Sequence, residues 1–213
     1  MDKEQIKKAL EELKKGPKRK FTQSYDLVIN LKNFDLKQNP LDFFVTLHYP
    51  KGKGIKVAAF VDQELVEQAD KFCDLTIREA DFIKYKKEKK LSKKLAEEYD
   101  YFIAQATLMP KVAASFGQTF GPKGKMPNPK LGCVVPPNAN LEALNKKLQN
   151  TVRLTAKKAT NLQCMVGKED QAEDEIIDNI LTVYDAVLKQ VPNEIQNIKG
   201  IAIKLTMSKP VNI

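Results

Sequence analysis

The 213 residues carry 36 Lys and Arg against 27 Asp and Glu, a net charge of +9 and a pI near 9.3, with 42% hydrophobic residues. This length can bury the core of one large domain or two modest ones, and no apolar run approaches the roughly 18 residues a membrane-spanning helix needs. Disorder throughout and an integral membrane protein are set aside, and the basic balance favours a polyanionic partner through attraction and counterion release.

Charges of both signs in Met1-Asp2-Lys3-Glu4-Gln5 predict no secretory leader. Cys73, Cys133 and Cys164 form neither a CxxC pair nor an even set, which predicts reduced thiols in a cytoplasmic protein. Ile6, Leu10 and Leu13 share one face of a helix expected over residues 2–14 and stopped by Gly16-Pro17. Around that stop, Lys14, Lys15, Lys18, Arg19 and Lys20 place five cations within seven residues. They suit phosphate, and equally a solvated helix end whose cations answer the negative pole of the dipole. Residues 25–31 then alternate, with Leu27, Ile29 and Leu31 on one side and Ser24, Asp26 and Asn30 on the other, as in a strand with one core face and one polar face. A second strand is expected over Phe43–Tyr49, and Pro50-Lys51-Gly52-Lys53-Gly54 has the composition of a hinge-like turn.

From residue 56 the pattern becomes a β/α alternation. Strands are expected at 56–61, 74–77 and 101–104, and helices at 63–71, through a lysine-rich stretch to Tyr99, and at 109–116. That rhythm predicts a parallel, Rossmann-like sheet. The seven lysines between Lys84 and Lys94 read as a solvated helix face or as an accessory nucleic-acid contact. A basic Gly/Pro-rich loop spans Gly121–Lys130, and a helix over 141–148 closes the unit. Strands at 152–156 and 162–166 follow, then a wide apolar helical stripe from Ile176 to Leu188. Its start carries an acidic cluster, residues 169–175, suited to the helix dipole. A last alternating strand, 201–207, puts Lys204 and Thr206 opposite Ile201, Ile203 and Leu205. The two chain ends share one style and the middle another, which predicts an inserted domain.

No pattern for catalysis, metal or cofactor stands out. The turn after the first strand of the alternation reads Val61-Asp62-Gln63-Glu64, without the glycines that let a backbone approach pyrophosphate and with carboxylates that would repel it. Gly124-Lys125 is followed by Met126 instead of Ser or Thr, so a P-loop fails as well. His48 is the only histidine, which excludes multi-histidine metal sites and reads as structural.

Five stretches, 20–27, 30–35, Gly121-Pro-Lys-Gly-Lys-Met-Pro-Asn-Pro-Lys130, Val166-Gly167-Lys168 and Leu205-Thr-Met-Ser-Lys-Pro210, resemble the large-subunit ribosomal protein L-one family, most closely its archaeal form. The resemblance runs in order from Lys18 to Pro210. It implies a mixed α/β and α+β protein of two domains: a discontinuous α+β sandwich built from both chain ends, residues 1–55 and 149–213, which binds ribosomal RNA, and an inserted Rossmann-like three-layer α/β domain, 56–148. It also implies a non-enzymatic constituent of the large ribosomal subunit, in the mobile stalk beside the exit site, that helps deacylated tRNA leave. Many members repress translation by binding a similar structure in their own messenger. The implied partners are large-subunit ribosomal RNA, the leader or coding region of the protein's own mRNA and exit-site tRNA. The free protein would be a cytoplasmic monomer with no cofactor and no membrane.

Carried over residue by residue, the family's RNA contacts fall on Phe21, Ser24, Asp26, Asn30, Thr206 and Met207, with weaker correspondence at Lys157, Lys158 and Lys168. Pro50, Gly52, Gly54 and Gln149 would form the hinge. The polar strand faces read above agree, since two adjacent strands of that kind make a flat hydrogen-bonding platform for ribose hydroxyls and base edges. One departure stands at Ser208, where the family usually has glycine. A need for φ > 0 or for space there would weaken binding, whereas the hydroxyl could add a hydrogen bond. A charge-driven nucleic-acid chaperone and a nucleotide-using enzyme on the middle domain remain the competing readings.

Overall fold

The computed structural model describes residues 2–17, 19–36, 39–157 and 159–213. In chain order, helix α1 (Lys3–Lys14) precedes strands β1 (Ser24–Leu31), β2 (Leu41–Thr46) and β3 (Val57–Val61). Then come α2 (Val66–Phe72), β4 (Leu75–Arg78), α3 (Phe82–Lys87), α4 (Lys89–Glu98), β5 (Tyr101–Gln105), α5 (Met109–Lys123), β6 (Val134–Val135) and α6 (Leu141–Gln149). The chain ends with β7 (Thr151–Ala156), β8 (Asn161–Lys168), α7 (Glu173–Gln190), β9 (Ile198–Leu205) and β10 (Val211–Asn212). It divides into two compact units, Met1–Lys53 with Asn150–Ile213, and Gly54–Gln149.

In the first unit an antiparallel sheet runs β10-β9-β1-β8, beside a two-stranded ribbon of β2 and β7. Alternation along β1 buries Tyr25, Leu27, Ile29 and Leu31 and leaves Ser24, Asp26, Val28 and Asn30 half-covered. Ile6, Leu10 and Leu13 of α1 share the buried face with Ile176, Ile180, Val183 and Val187 of α7. A helix of 12 residues is marginal alone, whereas each fully buried Leu or Ile contributes about 1.5–3 kcal/mol. Docking on the sheet therefore holds α1. Tyr25 is fully buried, and its hydroxyl has no hydrogen-bond partner among the described residues. Burial, reinforced by Glu169 and Glu173, pushes its pKa up to about 12. Tyr25→Phe removes an orphaned polar group without changing the ring, so it is expected to raise stability by about 1 kcal/mol. Urea unfolding of wild type and variant checks this, and a destabilised variant would show that the hydroxyl has a partner.

The second unit is a parallel sheet in the order β4-β3-β5-β6. Its central strand β3 is buried along its whole length, as parallel strands covered on both faces are. Ala58 and Phe60 face a core completed by α3, α4 and α5, while Val57, Ala59 and Val61 point to the opposite face. The ring of Phe60 lies 4.9 Å from that of Phe116, 5.6 Å from Phe82, 5.8 Å from Phe102 and 6.2 Å from Phe120.

Several elements differ from the sequence expectation. The helix expected at 63–71 opens as a 3-10 turn, Gln63–Leu65, because Asp62 accepts the Gln63 N–H at 2.8 Å. The lysine-rich helix is two helices broken at Glu88, with Ser92 Oγ donating to the Tyr85 carbonyl across the break. Helix α5 runs on to Lys123 and absorbs the first three residues of the expected 121–130 loop. Phe116 and Phe120 are both fully buried and carry it inward, and Gly124 at φ +64° closes it by returning N–H groups to Gly121 and Phe120. The short strands β6 and β10 have no periodicity to announce them.

Candidate nucleic-acid interface

The half-covered face of the four-stranded sheet can be read in rows from the pairing register. Ser24 sits opposite Lys168, and Asp26 lies between Lys204 and Met165. Val28 lies between Ala202 and Gln163, and Asn30 between Gly200 and Asn161. Asn30 is six residues beyond Ser24 along β1, about 20 Å of strand. The candidate residues thus form an end group around Ser24, a middle member in Asp26 and a distant one in Asn30.

The end group is the most tightly built. β9 stops at Leu205, so Thr206 and Met207 occupy a turn, where the sequence placed them on a strand. Thr206 Oγ1 accepts the Ser24 N–H at 3.1 Å and stands 3.5 Å from the Ser24 carbonyl, acting as a further rung on the end of the sheet. Gln23, 3% exposed, accepts the Met207 N–H through Oε1 at 3.1 Å. Ser208 fastens the turn from its other side: its hydroxyl accepts the Leu205 N–H at 2.8 Å and its own N–H donates to the Leu205 carbonyl. Asn33 and Glu194 are the only described non-glycine residues at positive φ. Ser208 therefore adopts ordinary backbone, and its hydroxyl is engaged inside the turn. On this framework Phe21 is 51% exposed and Met207 58% exposed, two of five large hydrophobic side chains left in solvent among the described residues. Exposed apolar side chains beside a polar platform suit packing on nucleotide faces.

Gln23 is the member of the candidate site that sequence reading missed. A buried glutamine just before a strand carries no periodic signal, and its role depends on a turn 184 residues away. Asp26 has no hydrogen-bond donor among the described residues, and burial raises its carboxyl above the usual range, with Lys204 opposing. Such a carboxylate is open to accept from ribose hydroxyls or base amines.

The expected cations behave differently from one another. Lys15, Arg19 and Lys20 are exposed, whereas Lys14 is paired with Glu173 and holds that carboxyl below its ordinary range. Lys157 stands 3.3 Å from Asp42, which Arg153 also grips with two bonds of 2.7 and 2.8 Å, pushing Asp42 down to about 2. That places Lys157 with the β2–β7 ribbon, away from Ser24 and Thr206. Lys18 and Lys158 lie outside the described residues.

Of the expected hinge residues, Pro50 is fastened within the first unit, where Gln171 Nε2 donates to its carbonyl at 2.6 Å. Asn179, buried on α7, holds both backbone groups of Tyr49 and donates to the Val166 carbonyl. Gly52 has φ +77°, and a Cβ there would meet Lys168 Cγ at 2.9 Å, so two constraints select glycine. Gly54 has open space around it. Gln149 bonds both the N–H and the carbonyl of Ile55 at 2.9 Å, within the second unit.

Elsewhere, His48 Nδ1 lies 2.6 Å from Asp178 Oδ2 at the surface. In the turn after β3, where a nucleotide fold would hold pyrophosphate, the Asp62 carboxylate caps its own turn and Gln105 bridges the Asp62 N–H and Glu64. Among the described residues no group of His, Cys, Asp and Glu is placed to hold a metal ion, and no helix is long and apolar enough to cross a membrane.

Comparison with known proteins finds a match to the model of the "Ribosomal protein L1p/L10e family" over residues 13–209. The chain is similar to the large ribosomal subunit protein uL1 of Nanoarchaeum equitans, 40% identical over 99% of this chain and 98% of that protein. It is also similar to uL1 of Methanothermococcus thermolithotrophicus, 38% identical over 100% and 99%, and of Pyrococcus abyssi, 36% identical over 100% and 96%.

Proposed function

Because the chain belongs to the ribosomal protein L1p/L10e family, we propose that it is a structural constituent of the large ribosomal subunit that binds stalk ribosomal RNA through the open face of the β10-β9-β1-β8 sheet of its first unit. The observation that carries this reading is the end group: Met207 stands exposed on a turn that Gln23, Ser24, Thr206 and Ser208 fasten to the sheet, and Phe21 stands exposed on the segment leading into β1. Preformed polar groups flanked by apolar side chains select an RNA shape, while Lys15, Arg19 and Lys20 add salt-dependent attraction. The protein works without catalysis in the cytoplasmic ribosome, assists deacylated tRNA in leaving the exit site and represses its own messenger through the same surface. Motion for the exit-site role is assigned to Gly52–Gly54 and the Gln149–Asn150 step, which lie between residues fastened within each unit, Pro50 by Gln171 in the first and Ile55 by Gln149 in the second.

The test is a salt-titrated binding assay of the whole chain against a stalk-region ribosomal RNA fragment and an unrelated hairpin of equal length. The expected result is nanomolar affinity with a preference of about 10³ or more for the stalk fragment. Equal, steeply salt-dependent binding to both would overturn the reading in favour of a charge-driven chaperone.

A further inference from the structure

We propose a second RNA subsite at the far end of the same sheet, a cleft that takes one unstacked nucleotide and that rests on the RNA-binding reading above. The cleft, about 730 Å³, is lined by Asn30 of β1, Asn161 of β8, Asn212 of β10, Gly200 and Lys199 of β9, and Thr160. Three carboxamides from three different strands meet in it. None of the three makes a hydrogen bond to any described residue. The buried asparagines of this unit behave otherwise: Asn179 holds Tyr49 and Val166, and Asn197 donates to the carbonyls of Lys32 and Asn33.

The strand geometry aims the remaining groups into the same space. Asn30 pairs with Gly200 but Leu31 pairs with Ile198, so Lys199 is the extra residue of a bulge. In regular pairing the residue next to Gly200 would point to the core; the bulge turns Lys199 out to solvent at the cleft instead. Gly200 faces the same side as Asn30, and nothing lies within 4 Å of where its Cβ would stand, so the floor is left open. A carboxamide pairs bidentately with the edge of adenine, and unpaired bases splayed from an RNA loop present such edges. Lys199 would meet the phosphate of that nucleotide. Nucleic acid is favoured over a protein neighbour because the cleft lies on the same face as Ser24 and Asp26 and brings three carboxamides and the Lys199 cation together, while Leu31, Ala159, Ile201 and Ile213 complete the wall with apolar surface that a base can pack against.

The experiment uses the full chain with the stalk RNA fragment and compares wild type, Gly200→Val, the double variant Asn161→Ala with Asn212→Ala, and Thr206→Val. Gly200→Val fills the floor while removing a glycine from a strand, so thermal melting is expected at or above wild type. Its RNA affinity is expected to fall about 10-fold or more, as for loss of one base contact. The asparagine double variant should lose a similar factor with an unchanged salt slope. Making the unpaired RNA nucleotides abasic one at a time should reveal one position that weakens wild type equally and adds nothing to the double variant. Unchanged affinity of both cleft variants, with Thr206→Val still weakened, would overturn the cleft and leave the RNA reading standing. Failure of wild type to prefer the stalk fragment would overturn both. Full RNA affinity of the cleft variants with loss of their incorporation into the large subunit would assign the cleft to a protein neighbour and overturn the proposal.

Discussion

Phe60→Ala is expected to cost the Gly54–Gln149 unit about 3–5 kcal/mol, the usual penalty for emptying an aromatic site in a packed core. Phe60 sits on the central strand, and four other phenylalanine rings lean on it from α3, β5 and α5. Those rings cannot all close on the space, because each is anchored on its own element and all are themselves buried. Chemical denaturation followed by circular dichroism should show one transition moved to lower denaturant. A loss below about 1 kcal/mol would show that the cluster relaxes into the void. Affinity for stalk RNA should stay close to the wild-type value, since the contacts on Phe21, Ser24, Asp26, Asn30, Thr206 and Met207 belong to the other unit.

Thr206→Val is expected to lower affinity for the stalk fragment about 10- to 100-fold, corresponding to the 1–3 kcal/mol of a polar group left unpaired in an interface. Valine matches threonine in shape and removes only the hydroxyl. The hydroxyl closes the sheet at Ser24 and so positions Met207, and its removal takes the Thr206 acceptor away from the Ser24 N–H. Because Thr206 is exposed, the fold itself should lose no more than about 1 kcal/mol. The slope of affinity against salt should not change. Arg19→Ala makes the opposite change, lowering that slope by about one unit with a smaller effect on the preference for the stalk fragment. Equal slopes for both variants would remove the division between shape and charge.

The α+β sandwich of the two chain ends came from the family resemblance, while the alternation of β1 and the apolar stripe of α7 made those two elements legible, because burial repeats with the period of the element that causes it. The same logic put Ser24, Asp26 and Asn30 on one face. What stayed hidden depends on partners far along the chain. Nothing near Gln23 or Asn179 indicates that these amides brace a turn and a chain crossing. The stop of α5 was misplaced because Gly121 and Pro122 look like breakers, while the pull of Phe120 into a core built from other elements keeps the helix going. The split at Glu88 was equally hidden, since a run of lysines between Tyr85 and Leu91 offers no apolar residue to hold one continuous helix. Lys157 matched the family pattern by position, yet its charge is answered by Asp42 on a neighbouring strand.

Placing β1 between β8 and β9 also sets an order of events during synthesis. Ser24 and Tyr25 leave the machinery early, but their ladder partners are Lys168 and Leu205. Closing so long a loop costs little more than closing a short one at equilibrium, since the entropy grows only logarithmically with length. The rate is another matter, because contacts between distant residues form slowly. The Gly54–Gln149 unit is contiguous and has all its strands in hand while β1 still waits as an unpaired edge. The chain can thus complete its middle before its beginning, and the turn bearing Thr206 and Met207 closes on Ser24 only after nearly the whole chain has been made.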